Sequence, residues 1–185
     1  MNKIRKKLKS RRGFTLAEML IAMLIVLMVA AVVAEGIPVA ANALDKVQEA
    51  SNAQLLLSTT MTALREELSM ARDIQVSGKT ITYTNSMGLK SQIGLGASDK
   101  VITLTQYTNL EESASVESTL VSSETASKSR RTGDPVLYTT YTGAAFDKTQ
   151  GVVTFSELAV KRVDSDKVAA SVESYSIRVV GNPGT

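Results

Sequence analysis

An uninterrupted apolar run near the N-terminus constrains the fold of this 185-residue chain more than any other feature. Residues 19–34 are sixteen consecutive apolar residues, and across 14–41 the only polar side chains are Thr15, Glu18 and Glu35. As one helix, residues 14–41 would be about 42 Å long at 1.5 Å per residue. The hydrocarbon core of a bilayer is about 30 Å thick, so the sequence predicts a membrane-spanning helix.

Glu18 is the anomalous residue of this segment. A carboxylate within a membrane helix costs up to roughly 2.5 to 3.5 kcal/mol on insertion scales, and it usually has a partner. A cut between Gly13 and Phe14 would create an α-amine one helical turn from Glu18. That amine could also pair with Glu18 of an adjacent subunit and so fix the axial stagger between packed helices, which is a recognised use of buried ion pairs.

The residues before the apolar run are strongly basic. Residues 1–13 contain seven cations and no acid, namely Lys3, Arg5, Lys6, Lys7, Lys9, Arg11 and Arg12. The positive-inside bias predicts a cytoplasmic N-terminus, with the residues after the helix facing outward. Without this leader, 14 cations stand against 18 acids and the side-chain charge falls from +3 to −4. The basic balance therefore gives no argument for nucleic-acid binding by the remaining chain.

The basic leader, the junction Gly13-Phe14-Thr15-Leu16-Ala17-Glu18-Met19 and the long apolar helix together resemble the prepilin motif. This motif occurs in type IV pilins and in the pseudopilins of type II secretion and competence systems. The resemblance covers residues 1–74 and implies a pilin-like fold. It also implies cleavage between Gly13 and Phe14, N-methylation of Phe14, and a requirement for Glu18 in assembly.

The resemblance further implies the partners and the location of the chain. The partners are a membrane-embedded prepilin peptidase, an inner-membrane assembly platform driven by an ATPase, and other pilin or pseudopilin subunits. The location is a single-pass inner-membrane protein with its C-terminal domain outside, which later joins an extracytoplasmic filament. The chain departs from the family at Glu35, where many members have a helix-kinking proline; here Gly36 and Pro38 follow instead.

An ordinary secretory signal is the alternative for the N-terminus, because it also combines a basic region with an apolar stretch. Ala41-Asn42-Ala43 would supply its cleavage site, and the mature chain would then begin at Leu44. The apolar run exceeds the usual 7 to 15 residues, and a signal peptide has no use for Glu18. The prepilin interpretation is therefore favoured, and it predicts that the mature protein begins at Phe14.

Beyond residue 41 the apolar pattern narrows to one face of a helix. Apolar residues recur at steps of three and four, at Leu44 and Val47 and then at Leu57, Met61, Leu64, Leu68 and Ala71. This spacing is typical of an amphipathic helix with one covered face. The sequence predicts that the helix continues through residues 42–75. Ser77-Gly78, shortly after Ile74, is the predicted stop signal.

From residue 76 to residue 185 the chain is predicted to form a β-rich exported head. Six runs rich in threonine and β-branched residues are predicted as strands: 80–84, 91–95, 101–105, 136–141, 152–155 and 174–180. The links 85–88 and 96–100 are short enough for antiparallel hairpins. The apolar face of the helix and one face of this antiparallel sheet would bury each other, which gives an α+β fold.

Residues 109–133 break this pattern, because serine, threonine, glutamate and alanine dominate there. We expect a loop or a surface-exposed variable region. Within it, Lys128, Arg130 and Arg131 form a possible weak contact patch, but such clusters are more often merely solvated. The acids Asp164 and Asp166 could contribute to a calcium site; without a clear loop pattern a turn is the better interpretation.

The residues needed for the commonest catalytic chemistry are missing from the sequence. It contains no histidine and no cysteine, and no glycine-rich phosphate loop is present. We predict a structural, non-enzymatic protein without cofactor or metal: a minor pilin or pseudopilin. The alternative is a membrane-tethered exported binding domain that does not polymerise. Glu18 discriminates between them, because a mere tether has no use for a carboxylate in the membrane.

Overall fold

A computed structural model of the chain describes residues 14–96, 99–109, 112–121 and 136–180. Its first element is one helix, α1, which spans Leu16–Ser69 and includes Pro38. The chain divides into two compact units, residues 1–46 and residues 47–185, and the boundary falls within α1.

The described part of the first unit is the apolar portion of α1, in which every side chain from Phe14 to Lys46 is exposed. α1 is long and apolar enough to cross a membrane. A helix that is apolar all round is stable only in apolar surroundings, in a protein core or a membrane. Nothing among the described residues of this unit supplies such surroundings.

The second unit begins with the amphipathic portion of α1. This portion buries one face, which consists of Ala53, Leu56, Leu57, Thr60, Leu64 and Leu68. Thr60 is the one polar member of this face, and its hydroxyl donates a hydrogen bond to the carbonyl of Leu56 at 2.7 Å. From Ala53 onward the spacing of three and four residues therefore produces the one-sided burial that the sequence predicts. Leu44 and Val47, which the sequence placed on the same covered face, are exposed instead.

The helix ends earlier than predicted, at Ser69 instead of residue 75. The amide of Ala71 donates to the carbonyl of Leu68 at 3.2 Å and closes the last turn, and the strand β1 then covers Arg72–Ser77. Ala71 and Ile74 are buried, so their spacing of three continues the helical pattern although the backbone has already changed. Asp73, at a φ of 51°, marks the bulge that starts this strand.

The first sheet is a five-stranded antiparallel meander in the order β1-β2-β3-β4-β5. After β1 its strands are β2 Thr80–Thr84, β3 Lys90–Leu95, β4 Ile102–Tyr107 and β5 Ser115–Thr119. The predicted strands at 80–84, 91–95 and 101–105 are confirmed within one or two residues. Both predicted hairpin links join antiparallel neighbours, as expected.

The remaining strands form a second antiparallel sheet instead of extending the first. They are β6 Leu137–Thr140, β7 Gly143–Asp147, β8 Val152–Arg162 and β9 Val168–Arg178. β8 pairs β7 through its first half and β6 through its second half, while β9 lies along its other edge. The change of partner falls at Glu157, which has a φ of 47°. The expectation of a single sheet was wrong, whereas the α+β class is confirmed.

The stretch 109–133 contains regular structure that its composition does not predict. β5 lies inside it at the edge of the first sheet, with all five side chains exposed. Backbone pairing to β4 defines this strand, because no side chain of β5 is buried. Lys128, Arg130 and Arg131 lie outside the described residues.

The core lies between the amphipathic portion of α1 and residues of both sheets. Leu56 and Leu64 of the helix join Ile81 and Ile93 of the first sheet and Phe155 of the second in one buried cluster. The helix and the sheets of the second unit therefore bury each other's apolar faces, as the sequence pattern predicts.

Candidate processing and assembly site

Thr15 and Glu18 form a reciprocal hydrogen-bonded pair at the start of α1. Thr15 directly precedes Leu16, the first helical residue, and its hydroxyl oxygen accepts the amide N–H of Glu18 at 3.2 Å. In return, the Glu18 carboxylate accepts the amide N–H of Thr15 at 2.9 Å and its hydroxyl at 3.0 Å, both at Oε2. This is the capping-box arrangement, in which the N-cap and N3 residues each satisfy a backbone donor of the other.

The capping box gives Glu18 a partner within the chain before any cut is made. The predicted partner was the amine of Phe14, and the pairing with Thr15 was not predicted. The signal was nevertheless visible, because a threonine followed three residues later by glutamate, just before an apolar run, is a helix-start signature. The carboxylate is also placed favourably, since the first turn of a helix attracts negative charge.

Phe14 lies immediately outside the helix that the box begins. It has no regular secondary structure, and its side chain is 78% exposed. Gly13 and all seven cations of the leader lie outside the described residues. The structure thus brings Thr15 and Glu18 together and places Phe14 beside them in the chain, at the end of an exposed apolar helix.

Asp164 and Asp166, the two acids considered as calcium ligands, are engaged with protein groups. The Arg162 guanidinium donates to both oxygens of Asp164, at 3.0 and 2.9 Å, and together with the Ser165 hydroxyl it lowers the pKa of this carboxyl to about 2. Asp166 accepts the hydroxyl of Tyr138 at 2.7 Å and pairs with Lys100 at 3.2 Å.

The predicted turn is present at this point, between β8 and β9. Within the described ranges, no group of three or more acidic, histidine or cysteine side chains is arranged to hold a metal ion.

Polar contacts tie the amphipathic portion of α1 to both sheets. Glu49 accepts the Arg162 guanidinium at 3.1 and 2.9 Å, which links the helix to β8. Further along the helix, Glu67 accepts the Tyr83 hydroxyl at 2.9 Å. Burial is the main cause that raises the pKa of Tyr83, and the charge of Glu67 adds to it.

Two backbone carbonyls of the same helix also accept hydrogen bonds from the second sheet and the residues that follow it. The Tyr175 hydroxyl donates to the carbonyl of Met61 at 2.8 Å. The amide of Val180 donates to the carbonyl of Ser69 at 2.7 Å, at the last residue of α1. With Glu49 and Glu67, these contacts give four anchoring points along the helix.

Comparison with protein families places residues 8–34 in the prokaryotic N-terminal methylation motif. The match includes the junction at residues 13 and 14, the capping box and the whole apolar run. Comparison with curated proteins gives no match, and comparison with solved structures gives none either. The motif supports a type IV pilin-like or pseudopilin precursor that a prepilin peptidase processes, and proteins that carry it are structural. With the apolar helix, it also fits anchoring in a membrane.

Proposed function

We propose that this protein is a structural subunit, a minor pilin or pseudopilin, of a filament that serves a type IV pilus, a type II secretion system or DNA uptake. The observation that carries the proposal is the apolar portion of α1. This portion is exposed along its whole length. Glu18 lies in its first turn and forms no buried ion pair among the described residues. Such a helix suits a protein stored in lipid and later packed among equivalent helices.

The proposed cycle begins in the inner membrane, with residues 1–13 in the cytoplasm and the β-rich head outside. Prepilin peptidase cuts between Gly13 and Phe14 and methylates the new amine. The assembly platform then extracts the subunit into the filament. There, apolar helices of neighbouring subunits replace lipid, and the Phe14 amine of one subunit pairs with Glu18 of the next. That pairing fixes the axial register.

The decisive experiment compares Glu18→Ala with Glu35→Ala, because both replace an acid within the same exposed helix. We expect Glu18→Ala to remain in the membrane and to disappear from sheared surface filaments. The Glu35→Ala control should be recovered in filaments in wild-type amounts. Wild-type recovery of Glu18→Ala would contradict the filament proposal and favour a membrane-tethered binding domain instead.

Processing is tested separately by intact mass and N-terminal sequencing of the mature protein. We expect a start at Phe14 with a methylated amine. A start at Met1 would indicate an uncleaved anchor, and a start at Leu44 would indicate an ordinary secretory signal.

A further inference from the structure

We propose that the heads of neighbouring subunits contact each other through a methionine of one copy and an apolar pocket of the next. The methionine is Met87, in the turn between β2 and β3, and the pocket lies between β1 and β7. The inference rests on the proposed function, because it describes a contact between copies of this chain in a filament.

The pocket lies where the two sheets meet without pairing. β1 is an edge strand that pairs with β2, whereas β7 pairs with β8, and neither has a second partner among the described strands. The space between them has a volume of about 470 Å³. Its walls include Ile74 and Val76 from β1 and Ala144 and Phe146 from β7, and all four belong to the core cluster or pack against it. An apolar side chain that enters this pocket therefore extends the core of the head.

Met87 is the most exposed large apolar side chain that the structure describes in the second unit, at 73%. The turn that carries it is nonetheless fixed from inside by the buried Asn85. The side-chain oxygen of Asn85 accepts the amides of Met87 and Leu89, both at 3.0 Å. Its side-chain nitrogen donates to the Ser91 hydroxyl at 3.2 Å, and Gly88 adopts the positive φ of 81° that the turn requires. Because the turn is already ordered, docking of Met87 costs less conformational entropy than docking of a mobile loop.

The side chain and the pocket match in chemistry. A methionine side chain is unbranched and adapts to irregular apolar gaps, and its sulfur makes favourable contacts with aromatic rings such as that of Phe146. Gln75 and Lys148 also line the pocket and are exposed. They give it the polar rim that commonly surrounds the apolar centre of a protein interface.

The occupant is a second copy of the chain, because the exposed Met87 does not fill the pocket of its own chain. The methionine and the pocket are two different surfaces of one head, so their contact is heterologous. Heterologous contacts repeat from copy to copy and generate rings or open helical filaments. A filament subunit needs this geometry, whereas a tethered domain that does not polymerise has no use for it.

The first test is cross-linking, which is specific because the sequence contains no cysteine. Full-length Met87→Cys and Ala145→Cys variants are co-expressed with different tags, and membranes and sheared filaments are oxidised. Ala145 is an exposed residue of the pocket lining, so we expect a disulfide-linked dimer that carries both tags. Val168→Cys with Ala145→Cys is the matched control, because Val168 is also exposed and apolar. The control pair should give no such dimer.

The second test measures recovery of the full-length chain in sheared filaments. Met87→Ser should reduce recovery about tenfold, because burial of a methionine side chain changes an association constant by roughly one to two orders of magnitude. Met87→Leu keeps an apolar side chain of similar size and should be recovered in close to wild-type amounts. Met87 lies outside the core cluster, so the head should fold in both variants, and thermal unfolding checks this.

Absence of the dimer between positions 87 and 145, or an equal yield from the control pair, would overturn the inference. Wild-type recovery of Met87→Ser would overturn it as well. These results leave the proposed function intact if Glu18→Ala is still lost from filaments. If the wild-type protein forms no filament, the proposed function fails, and the dimer yield among subunits in the membrane then decides the contact by itself.

Discussion

The two portions of α1 share one backbone but differ in what stabilises them. From Leu16 to Lys46 every side chain is exposed, although most are apolar. From Val47 to Ser69 the helix buries one face, and polar contacts link it to both sheets. The second portion is therefore stabilised within its own chain, whereas the first buries no described side chain and needs apolar surroundings.

This difference shows that hydrophobicity alone does not locate the core of a protein. The most apolar segment of the sequence contributes nothing to the buried cluster, and the less apolar amphipathic portion supplies its helical side. Periodicity is the informative signal, because a one-sided apolar pattern needs only one packed neighbour. An apolar pattern on all sides needs apolar surroundings on all sides.

The strongest test of this difference removes the same side chain from each portion. Leu64→Ala should lower the free energy of unfolding of the head by about 2–5 kcal/mol, because Leu64 is fully buried. Leu24→Ala in the exposed portion should change it by less than about 0.5 kcal/mol. Urea unfolding in detergent micelles, followed by tyrosine fluorescence, measures both, since all five tyrosines lie after residue 82. Similar losses would refute the separation.

A charged side chain should be costly in the apolar portion of α1 and tolerated on the exposed face of the amphipathic portion. Leu24→Lys should reduce the carbonate-resistant membrane fraction, because a lysine near the centre of a membrane helix costs about 2.5–3.5 kcal/mol on insertion scales. Leu55→Lys is the matched control, since Leu55 is exposed on the amphipathic portion. Equal membrane fractions for the two variants would argue against residues 14–41 as the span.

A smaller effect is expected from the hydrogen bond between Tyr83 and Glu67. Tyr83→Phe should lower the stability of the head by about 0.5–1.5 kcal/mol. The raised pKa of Tyr83 means that this contribution is present below about pH 10, the pKa of an unfolded tyrosine, and is lost at higher pH. Urea unfolding at neutral and alkaline pH checks both points, with Tyr107→Phe as the control. A loss that does not shrink at alkaline pH would contradict this assignment.

The smallest expected effect concerns the pair of Asp164 and Arg162. The pKa of Asp164 is lowered to about 2, so its contribution is present above about pH 4, the pKa of an unfolded aspartate, and is lost as the pH falls to 2. Thermal unfolding of wild type should therefore lose more stability between pH 5 and pH 2 than that of Asp164→Asn. Parallel pH profiles would show that the pair contributes nothing measurable, as many exposed pairs do.

The sequence predicts those features that depend on local pattern. The apolar span, the one-sided face through Leu64 and Leu68 and the strands β2, β3 and β4 each carry a periodicity of their own. The end of the helix could not be read in this way, because Ala71 and Ile74 keep the helical spacing after the backbone has entered β1. At Thr15 the information was local and visible, and the capping pattern could have been recognised.

The remaining differences depend on pairing between distant residues. β5 has no buried side chain, and β7 contains Gly143-Ala144-Ala145 in place of β-branched residues. Both strands exist because a neighbouring strand pairs with them. The division into two sheets depends on the point near Glu157 where β8 changes its partner from β7 to β6. No sequence pattern within β8 predicts this change.

The four anchoring points on the helix have a mechanical consequence. They lie at residues 49, 61, 67 and 69, spread over about 30 Å of helix at 1.5 Å per residue. A tensile load along the axis of this portion of the helix therefore shears these contacts and the packed face together. Loading in parallel distributes the force, whereas peeling would break one contact after another. Within the second unit, the helix is thus attached to the sheets in a geometry that resists traction along the helix axis.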